Sequence, residues 1–391
     1  MTSQRDNALR ASDVRQHNEK MVLSLIHKAG KTGISQSKVV QKTGLKAPTV
    51  FRIFNYLEED GLIAPITENT QEATNKKGRK PLAYTVKPEA KYTIGIEFWA
   101  ECITIGVFNF AGELIHTGKL DLETGIAANE ATSKIISLVR EFTARLDIPA
   151  DKYLGVGVAA PGQVNIARRE IVYYPRIRDM RNFPVADILE ESLGMNVYLH
   201  NNCSAIALSE YRYGGYRHGD ALFTFLIRSG VNGAFVSQNR IYITSQSTTL
   251  ESGHIPISLD GPLCDCGQKG CLQAYMTGLN TILGTGSPIL LEGIDERLRA
   301  GDYAAVQALD DAARYLYAAV KTVIRFFRPK AFLFVCTSKE AGERISRIIS
   351  RLREEQSSGF DLGVIDFFSH TYSELTALRG ASDLVLDAYF S

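Results

Sequence analysis

The sequence predicts an α/β protein in two parts, a small helical domain over residues 1–90 and a larger domain over residues 91–391. Three observations predict this organisation. Apolar residues recur at helical spacing in the first part. Strand-like runs alternate with longer helical segments in the second part. The two parts also carry opposite net charge, and a chain of 391 residues is long for a single domain.

The charge difference suggests a partner for the first part. Residues 1–91 contain 16 Lys and Arg and 9 Asp and Glu, a net charge of +7, whereas the remainder contains 28 and 34, a net charge of −6. A basic domain on an acidic body is typical of a protein that meets a polyanion through that domain. The alternative is a solvated basic surface, and charge alone does not separate the two.

Composition places the chain among ordinary soluble proteins, with 45% hydrophobic and 22% charged residues. No apolar run approaches the roughly 20 residues that a membrane helix needs. The first twenty residues have no apolar core of the kind found in signal peptides. We therefore expect a cytoplasmic protein without membrane insertion.

Three helices are predicted in the first part. Apolar residues at helical spacing define a helix from Val14 to Ala29. Ser35 is placed to cap a short helix over Gln36–Thr43, which Gly44 ends. A third helix over Pro48–Glu59 starts with a proline, which the first helical turn tolerates. Its apolar residues are expected to form the buried side: Val50, Phe51, Ile53, Phe54 and Leu57.

Two helices joined by a glycine turn form a helix-turn-helix, whose second helix enters the major groove of DNA. Leu62–Ile66 and Leu82–Val86 are predicted strands of a hairpin wing, whose turn carries Lys76, Lys77, Arg79 and Lys80. Three small helices also occur in protein-docking modules. The side chains expected to contact double-stranded DNA are Ser35, Gln36, Lys46, Thr49, Arg52, Lys77, Arg79 and Lys80.

The second part opens with strands and continues with helices. Strands are predicted over Tyr92–Phe98, Cys102–Phe108, Glu113–Ile115 and Tyr153–Ala159, and a helix is predicted over 128–146. Near the C-terminus, a helix over Asp311–Phe327 precedes a strand over Ala331–Val335. This interleaving predicts an α/β domain.

A cluster of metal-binding residue types stands out in this domain. His254 is followed by Cys264, Cys266 and Cys271, with Gly267 and Gly270 between the cysteines. One imidazole and three thiolates form a structural ligand set for zinc. Because four protein ligands leave no open position, we expect one structural Zn²⁺ per chain. The alternative is that these are free cysteines in a loop.

A family resemblance becomes specific at this point. The chain contains Gly155-Val-Gly-Val-Ala-Ala-Pro-Gly162, the run His200–Glu210, Glu251-Ser-Gly-His254 and Cys-x-Cys-Gly-x-x-Gly-Cys. This combination resembles the ROK family (repressors, open reading frames and kinases) over essentially all of 91–391. The added helix-turn-helix resembles the repressor branch, which contains the regulators of xylose and N-acetylglucosamine operons.

The resemblance implies an N-terminal winged helix-turn-helix followed by an actin-like (ribonuclease H-like) two-lobed sugar-kinase fold with a zinc loop. It also implies a sugar or sugar derivative in the cleft and a homodimer or tetramer. The expected function is a DNA-binding transcriptional regulator, by default a repressor, of genes for carbohydrate uptake or catabolism. Two alternatives stay open: a sugar kinase with a regulatory head, and a repressor controlled by docking a transport protein.

The residues that would carry kinase chemistry are altered. The family's sugar-binding and catalytic Asn-Asp pair corresponds to Asn201 and Asn202, and a carboxamide cannot act as a general base near neutral pH. The family's first phosphate loop corresponds to 97–101, which is bulky and acidic. Arg228 and Asn232 interrupt its second loop, and Cys336-Thr-Ser338 replaces the glycine pair near adenosine. The sequence therefore predicts that the protein is not an enzyme.

The sugar-binding positions are better kept. Asn201, Asn202, Glu251, His254 and Gln273 are expected to contact the ligand, because their family counterparts bind sugar hydroxyls. Asn202 and Gln273 both replace carboxylates of the family, which favours a less basic or an acidic ligand. The alternative is a pocket that binds nothing. Arg176 and Arg178 could face the cleft, but they lie in a loop, where arginines are usually solvated.

Overall fold

The computed structural model describes residues 11–66, 82–216, 219–246, 248–284, 286–356 and 363–391. The predicted wing residues Lys77, Arg79 and Lys80 lie outside these ranges and stay predictions. Within the described residues, no helix has both the length and the apolar character needed to cross a membrane.

A small helical domain, here called the head, begins the chain. Its described elements are α1 Ala11–Lys28, β1 Ile34–Ser35, α2 Gln36–Thr43, α3 Ala47–Glu59, β2 Ile63–Pro65 and β3 Ala83–Val86. The strands pair antiparallel in the order β1-β3-β2. Ser35 Oγ accepts a hydrogen bond from Lys38 N at 3.4 Å, and Gly44 ends α2 in the left-handed conformation. The helix bounds agree closely with those predicted from the sequence.

One predicted burial in the head is wrong. Phe51 is 56% exposed, whereas Val50, Ile53, Phe54 and Leu57 are buried. Successive residues of a helix are rotated by about 100°, and Phe51 falls beside the stripe that the other four residues share. Hydrophobicity alone assigned Phe51 to the core, but helical geometry places it on the surface of α3.

The first lobe of the larger domain is built on a five-stranded sheet. Its elements are β4 Tyr92–Phe98, β5 Cys102–Asn109, β6 Leu114–Asp121, α4 Ala128–Arg145, β7 Tyr153–Ala160, β8 Gln163–Asn165, β9 Glu170–Tyr173, β10 Arg181–Phe183, α5 Val185–Leu193 and β11 Val197–Asn201. The sheet order is β11-β7-β4-β5-β6. Strands β4, β5 and β6 pair antiparallel, while β7 and β11 extend the sheet in parallel.

The second lobe repeats this plan. After α6 Asn202–Tyr213 come β12 Ala221–Ile227, β13 Val231–Ser237, β14 Arg240–Ile241, α7 Leu272–Leu283, α8 Ile294–Arg299, α9 Tyr303–Phe327, β15 Ala331–Cys336, α10 Lys339–Glu355, β16 Asp366–Thr371 and α11 Glu374–Phe390. The sheet order is β14-β13-β12-β15-β16, again with three antiparallel strands and two parallel additions. This duplication agrees with the predicted actin-like fold.

Two elements are longer than predicted. Strand β6 continues to Asp121 because its alternating burial follows the half-polar pattern of an edge strand, which a search for apolar runs ends too early. Helix α9 begins at Tyr303, where Asp302 accepts hydrogen bonds from Ala304 N and Ala305 N at 3.0 and 3.2 Å. This N-cap lies ahead of the region where the helical spacing is most evident.

The C-terminal helix α11 connects the lobes to the head. It packs closely on β7 and α6 because Gly157 and Gly380 lack side chains; a Cβ at either position would overlap a backbone oxygen of the opposing element. Its far end, with Leu386, belongs to the same hydrophobic cluster as the head core and Phe110 of the first lobe. The cluster therefore crosses the domain boundary predicted between residues 90 and 91.

Candidate functional site

A cavity of about 590 Å³ lies between the two lobes. This volume falls within the range of about 300–1,000 Å³ that is usual for small-molecule sites. The first lobe contributes the residues that follow β7 and β11, and the second contributes the turn between β12 and β13 and the start of α7. Parallel strands end at one edge of a sheet, so side chains that are distant in sequence meet there.

All five side chains predicted to contact a ligand line this cavity: Asn201, Asn202, Glu251, His254 and Gln273. We call this group the sugar side of the cleft, after the ligand that the sequence predicts there. Asn201 is held rigidly, because its Oδ1 accepts a hydrogen bond from Cys203 N at 2.8 Å and its Nδ2 donates to Gly162 O at 2.7 Å. Gln273 Oε1 accepts from Val231 N at 3.2 Å, which joins α7 to β13.

Asn202 retains an unused acceptor. Its Nδ2 donates to Phe98 O at 3.3 Å, whereas its buried Oδ1 has no hydrogen-bond partner among the described residues. A buried oxygen without a donor costs stability, and a ligand hydroxyl that donates to it would remove that cost. Asn202 is therefore suited to bind a hydroxyl group.

Glu251 faces the cleft from the opposite lobe. Glu251 lines the cavity, and although much of the residue is exposed, desolvation of its carboxyl by the walls of the cleft raises its pKa to about 7. Near neutral pH such a group both accepts and donates hydrogen bonds. This property suits the hydroxyl groups of a polyol.

The four predicted metal ligands come together beside the sugar side. The ligand atoms of His254, Cys264, Cys266 and Cys271 all lie within 4.8 Å of one another. Cys264 Sγ is 3.6 Å from His254 Nδ1, and Cys266 Sγ is 3.7 Å from Cys271 Sγ. Zn–S bonds of about 2.3 Å place neighbouring sulfurs of a tetrahedral site about 3.8 Å apart. The group is therefore arranged to hold one metal ion.

The predicted glycines make this loop possible. Gly267 and Gly270 have φ angles of 86° and 74°. A Cβ on Gly270 would also overlap the carbonyl oxygen of Ser258. His254 approaches the cysteines through Nδ1 and also lines the cavity.

Side chains fill the other end of the cleft. We call it the phosphate side, after the phosphate loops that the sequence resemblance implies there. It comprises Glu97, Trp99, Glu101, Arg228 and Tyr372. The guanidinium of Arg228 lies 4.2 Å from the ring centroid of Trp99 and 5.2 Å from that of Tyr372. Arg228 and Trp99 are both buried, so the arginine is held between aromatic rings away from water.

Glu97 completes the filling of the phosphate side. The hydroxyl of Tyr372 donates a hydrogen bond to Glu97 Oε2 at 2.5 Å, and burial raises the pKa of this carboxyl to about 7. The turn Cys336-Thr-Ser338, which stands where the family has a glycine pair near adenosine, also forms hydrogen bonds within the protein. Ser338 caps α10 through Ala341 N at 3.0 Å, and Thr337 Oγ1 donates to Leu290 O at 2.7 Å.

Two arginines converge on Glu101. Arg176 Nη2 donates to Glu101 Oε1, and Arg228 Nη1 lies 3.5 Å from Glu101 Oε2. Arg176 faces the cleft, where it is half-buried, whereas Arg178 is exposed, as expected for an arginine in a loop. The loop after β9 turns Arg176 inward. Sequence reasoning also missed Tyr372, for which the sequence carries no signal.

The predicted DNA contacts in the head are placed unequally. Lys46 and Arg52 are exposed, and Gln36 and Thr49 are half-buried. Thr49 and Arg52 line a groove between α1 and α3. Ser35 is only 7% exposed, and its hydroxyl is used in capping α2. The structure thus gives Ser35 a structural role and leaves the other four side chains at the surface.

Comparison with known proteins agrees with this architecture. The model of the ROK family matches residues 93–388. The xylose repressor of Bacillus spizizenii is 24% identical over 88% of both chains. The glucokinase of Streptomyces coelicolor is 26% identical over 75% of this chain and 96% of its own.

The solved structures extend the similarity to the head. A ROK family transcriptional regulator, a homologue of the Escherichia coli MLC protein, matches 96% of this chain and 97% of its own with a TM-score of 0.78 and 22% identity. A ROK glucokinase from Streptomyces griseus matches 75% of this chain with a TM-score of 0.62. Because the family model spans most of the chain and the fold agrees, the protein belongs to the ROK family.

Proposed function

We propose that the protein is a sugar-responsive transcriptional repressor. The observation that carries this proposal is the combination of a helix-turn-helix head with a cleft whose sugar side is open and whose phosphate side is filled. The repressor relatives and the regulator structure, which match nearly the whole chain, support it. The controlled genes are proposed to serve carbohydrate uptake or catabolism.

The head would bind an operator through α3. Lys46, Thr49 and Arg52 are proposed to reach the major groove, with Gln36 on α2 and the wing residues Lys77, Arg79 and Lys80 on the phosphates. Exposed Phe51 adds an apolar surface suited to a thymine methyl group. A homodimer or tetramer would present two heads to a pseudo-palindromic site.

The metal is proposed to be a structural zinc ion. The donor set of one imidazole and three thiolates fits zinc, as do the two distances given above. When bound, the ion would fix the loop that carries His254. The imidazole would then present Nε2 to the cavity in a single orientation, which is how zinc supports ligand binding without taking part in chemistry.

A structural link between cleft and head supports allosteric control. Helix α6 begins at Asn202 on the sugar side and packs against α11, where Gly380 approaches the Ala205 backbone. At the far end of α11, the ring centroid of Phe390 lies 5.2 Å from that of His27 in α1. A ligand that shifts α6 would therefore move the surface on which the head rests, and a difference in affinity between two arrangements would change DNA occupancy.

Loss of kinase activity is part of the proposal. Asn202 cannot act as the general base. Trp99 and Arg228 stand at the positions that the resemblance gives to the two phosphate loops of the kinases. They are buried and pack together with Tyr372, so a nucleotide there would have to displace them. Glucokinases also match this chain, which makes the activity worth measuring directly.

The decisive experiment measures DNA binding with and without carbohydrate. The purified protein and DNA from upstream of its own gene would be followed by fluorescence anisotropy, with a panel of sugars, sugar acids and sugar phosphates. We expect one carbohydrate to weaken DNA binding by about 5- to 150-fold, the usual range for allosteric coupling. Specific binding that no carbohydrate changes would contradict sugar control and favour control by a docked protein.

A further inference from the structure

The ion pairs around Glu101 suggest which kind of sugar the cleft takes. Glu101 lies between β4 and β5 of the first lobe, Arg228 follows β12 of the second lobe, and Arg176 follows β9. The Glu101 carboxylate therefore pairs with two guanidinium groups. That of Arg228 also packs against the rings of Trp99 and Tyr372. These three groups sum to one positive charge at the edge of the cavity, whose other arginine and carboxyl groups are Arg181, Glu251 and Asp265.

Arg176 has binding capacity that the protein does not use. Its Nη1 atom is buried and has no hydrogen-bond partner among the described residues, although its Nη2 binds Glu101. A guanidinium group presents paired N–H donors that match a carboxylate or phosphate. The unpartnered donor, the excess charge and the cavity coincide at one residue, because Arg176 and Arg228 both line the cavity.

The remaining lining determines the rest of the ligand. Asn202, with its unpartnered Oδ1, and Glu251, whose carboxyl borders the cavity, are suited to bind hydroxyls, and they share the cavity with the two arginines. An anion without hydroxyls would leave these groups unsatisfied. A neutral sugar would leave the Arg176 donor unsatisfied. A ligand that carries both hydroxyls and an anionic group satisfies both ends.

We propose that the effector is an anionic monosaccharide, whose carboxylate or phosphate oxygens bind Arg176 and compete with Glu101 for it. This inference rests on the proposed function and specifies the ligand class of the same cleft. Because Glu101 also pairs with Arg228 across the lobes, the incoming anion would change a contact that joins the two lobes. The ligand charge would thus be coupled to the arrangement of the lobes.

Calorimetry with matched neutral and anionic sugars tests the proposal. The probes are D-glucose, D-glucuronate and D-glucose 6-phosphate, together with D-xylose, D-xylonate and inorganic phosphate. We expect at least one sugar acid or sugar phosphate to bind about 10- to 100-fold more tightly than its neutral counterpart, as charge-assisted hydrogen bonds provide. The carboxylate and phosphate arms distinguish the two sources of the anion. Equal or tighter binding of the neutral sugars would overturn the proposal.

Three variants locate the effect. Arg176→Gln should abolish the preference for the anionic sugar, and Glu101→Gln should strengthen its binding because the internal competitor is gone. Arg178→Gln is the matched control, since Arg178 is exposed in the same loop and does not line the cavity. Thermal denaturation of each variant checks folding. An unchanged preference in folded Arg176→Gln would also overturn the proposal.

The outcomes separate this inference from the proposed function. If only neutral sugars bind and they release DNA, the protein remains a sugar-responsive repressor and the inference about charge is wrong. If inorganic phosphate binds as tightly as the sugar phosphate, the site recognises a simple anion and the inference is likewise wrong. If no carbohydrate binds or changes DNA binding, both fail.

Discussion

The sugar side and the phosphate side of the cleft differ in what surrounds their polar groups. On the sugar side, Asn202 Oδ1 has no partner among the described residues and Glu251 faces an open cavity. On the phosphate side, Arg228 packs against two aromatic rings and Glu97 Oε2 accepts a hydrogen bond from Tyr372, while Glu97 Oε1 and Trp99 Nε1 are buried without a partner among the described residues. The sugar side thus leaves room for the polar groups of a ligand, whereas on the phosphate side the side chains of the protein pack against one another.

The largest expected effect concerns the metal loop that supports the sugar side. In Cys271→Ser, bound zinc should fall from about one ion per chain to a small fraction of that, because a structural site needs all four ligands. Metal analysis of the purified protein measures this. Cys102→Ser is the control, since Cys102 is also buried but lies outside the cluster. Zinc retained at full occupancy in Cys271→Ser would contradict the ligand assignment.

The next effect concerns Glu97 on the phosphate side. Burial raises its pKa from 4.5 to about 7 in the folded protein, so the folded state holds a proton that the unfolded chain releases. Stability contributed by this group is complete below pH 4.5 and falls as pH rises to 7, by about 3 kcal/mol at most. In Glu97→Gln this loss should disappear.

Urea denaturation of wild type and Glu97→Gln at pH 5 and pH 8 measures the change in the free energy of unfolding. The exposed carboxylate variant Glu343→Gln should keep the pH dependence of the wild type. If Glu97→Gln and wild type lose the same stability between the two pH values, Glu97 does not hold a proton in the folded protein.

A smaller effect is expected at Arg228. Replacing it in Arg228→Gln removes two cation–π contacts and the ion pair to Glu101, which should lower the free energy of unfolding by about 2 kcal/mol. Denaturation at a fixed pH measures this against Arg314→Gln, an exposed arginine on α9. Stability equal to that of the control would mean that the filled phosphate side contributes nothing to the fold.

The smallest expected effect is on catalysis. Asn202→Asp restores a carboxylate at the position of the family's base, yet we expect no sugar phosphorylation above the wild-type background. The reason is that Arg228, Trp99 and Tyr372 still fill the phosphate side. A coupled ATP-consumption assay, with the glucokinase of Streptomyces coelicolor as positive control, measures the rate. Measurable turnover in the variant would mean that a nucleotide reaches the cleft despite these side chains.

Prediction from sequence worked best where neighbouring residues decide the outcome. The bounds of α2 follow from Ser35 and Gly44, and those of β4 from a single apolar run. The metal ligands were recognisable because three of them lie within one short loop. Prediction from sequence was less successful for β6, whose half-polar edge pattern is weak. It also failed for Phe51, because hydrophobicity does not show which face of the helix a residue occupies.

By itself, the sequence determined the α/β class, the three helices of the head, the grouping of His254 with three cysteines, and five residues that line the cleft. These features follow from local residue spacing or from motifs that occur together in one family. Only the tertiary structure decided how the phosphate side is filled. Arg176, Arg228 and Tyr372 are separated by long stretches of chain. They meet around Glu97 and Glu101 only because the two lobes and helix α11 pack against one another. Long-range packing of this kind has no local pattern in a single sequence.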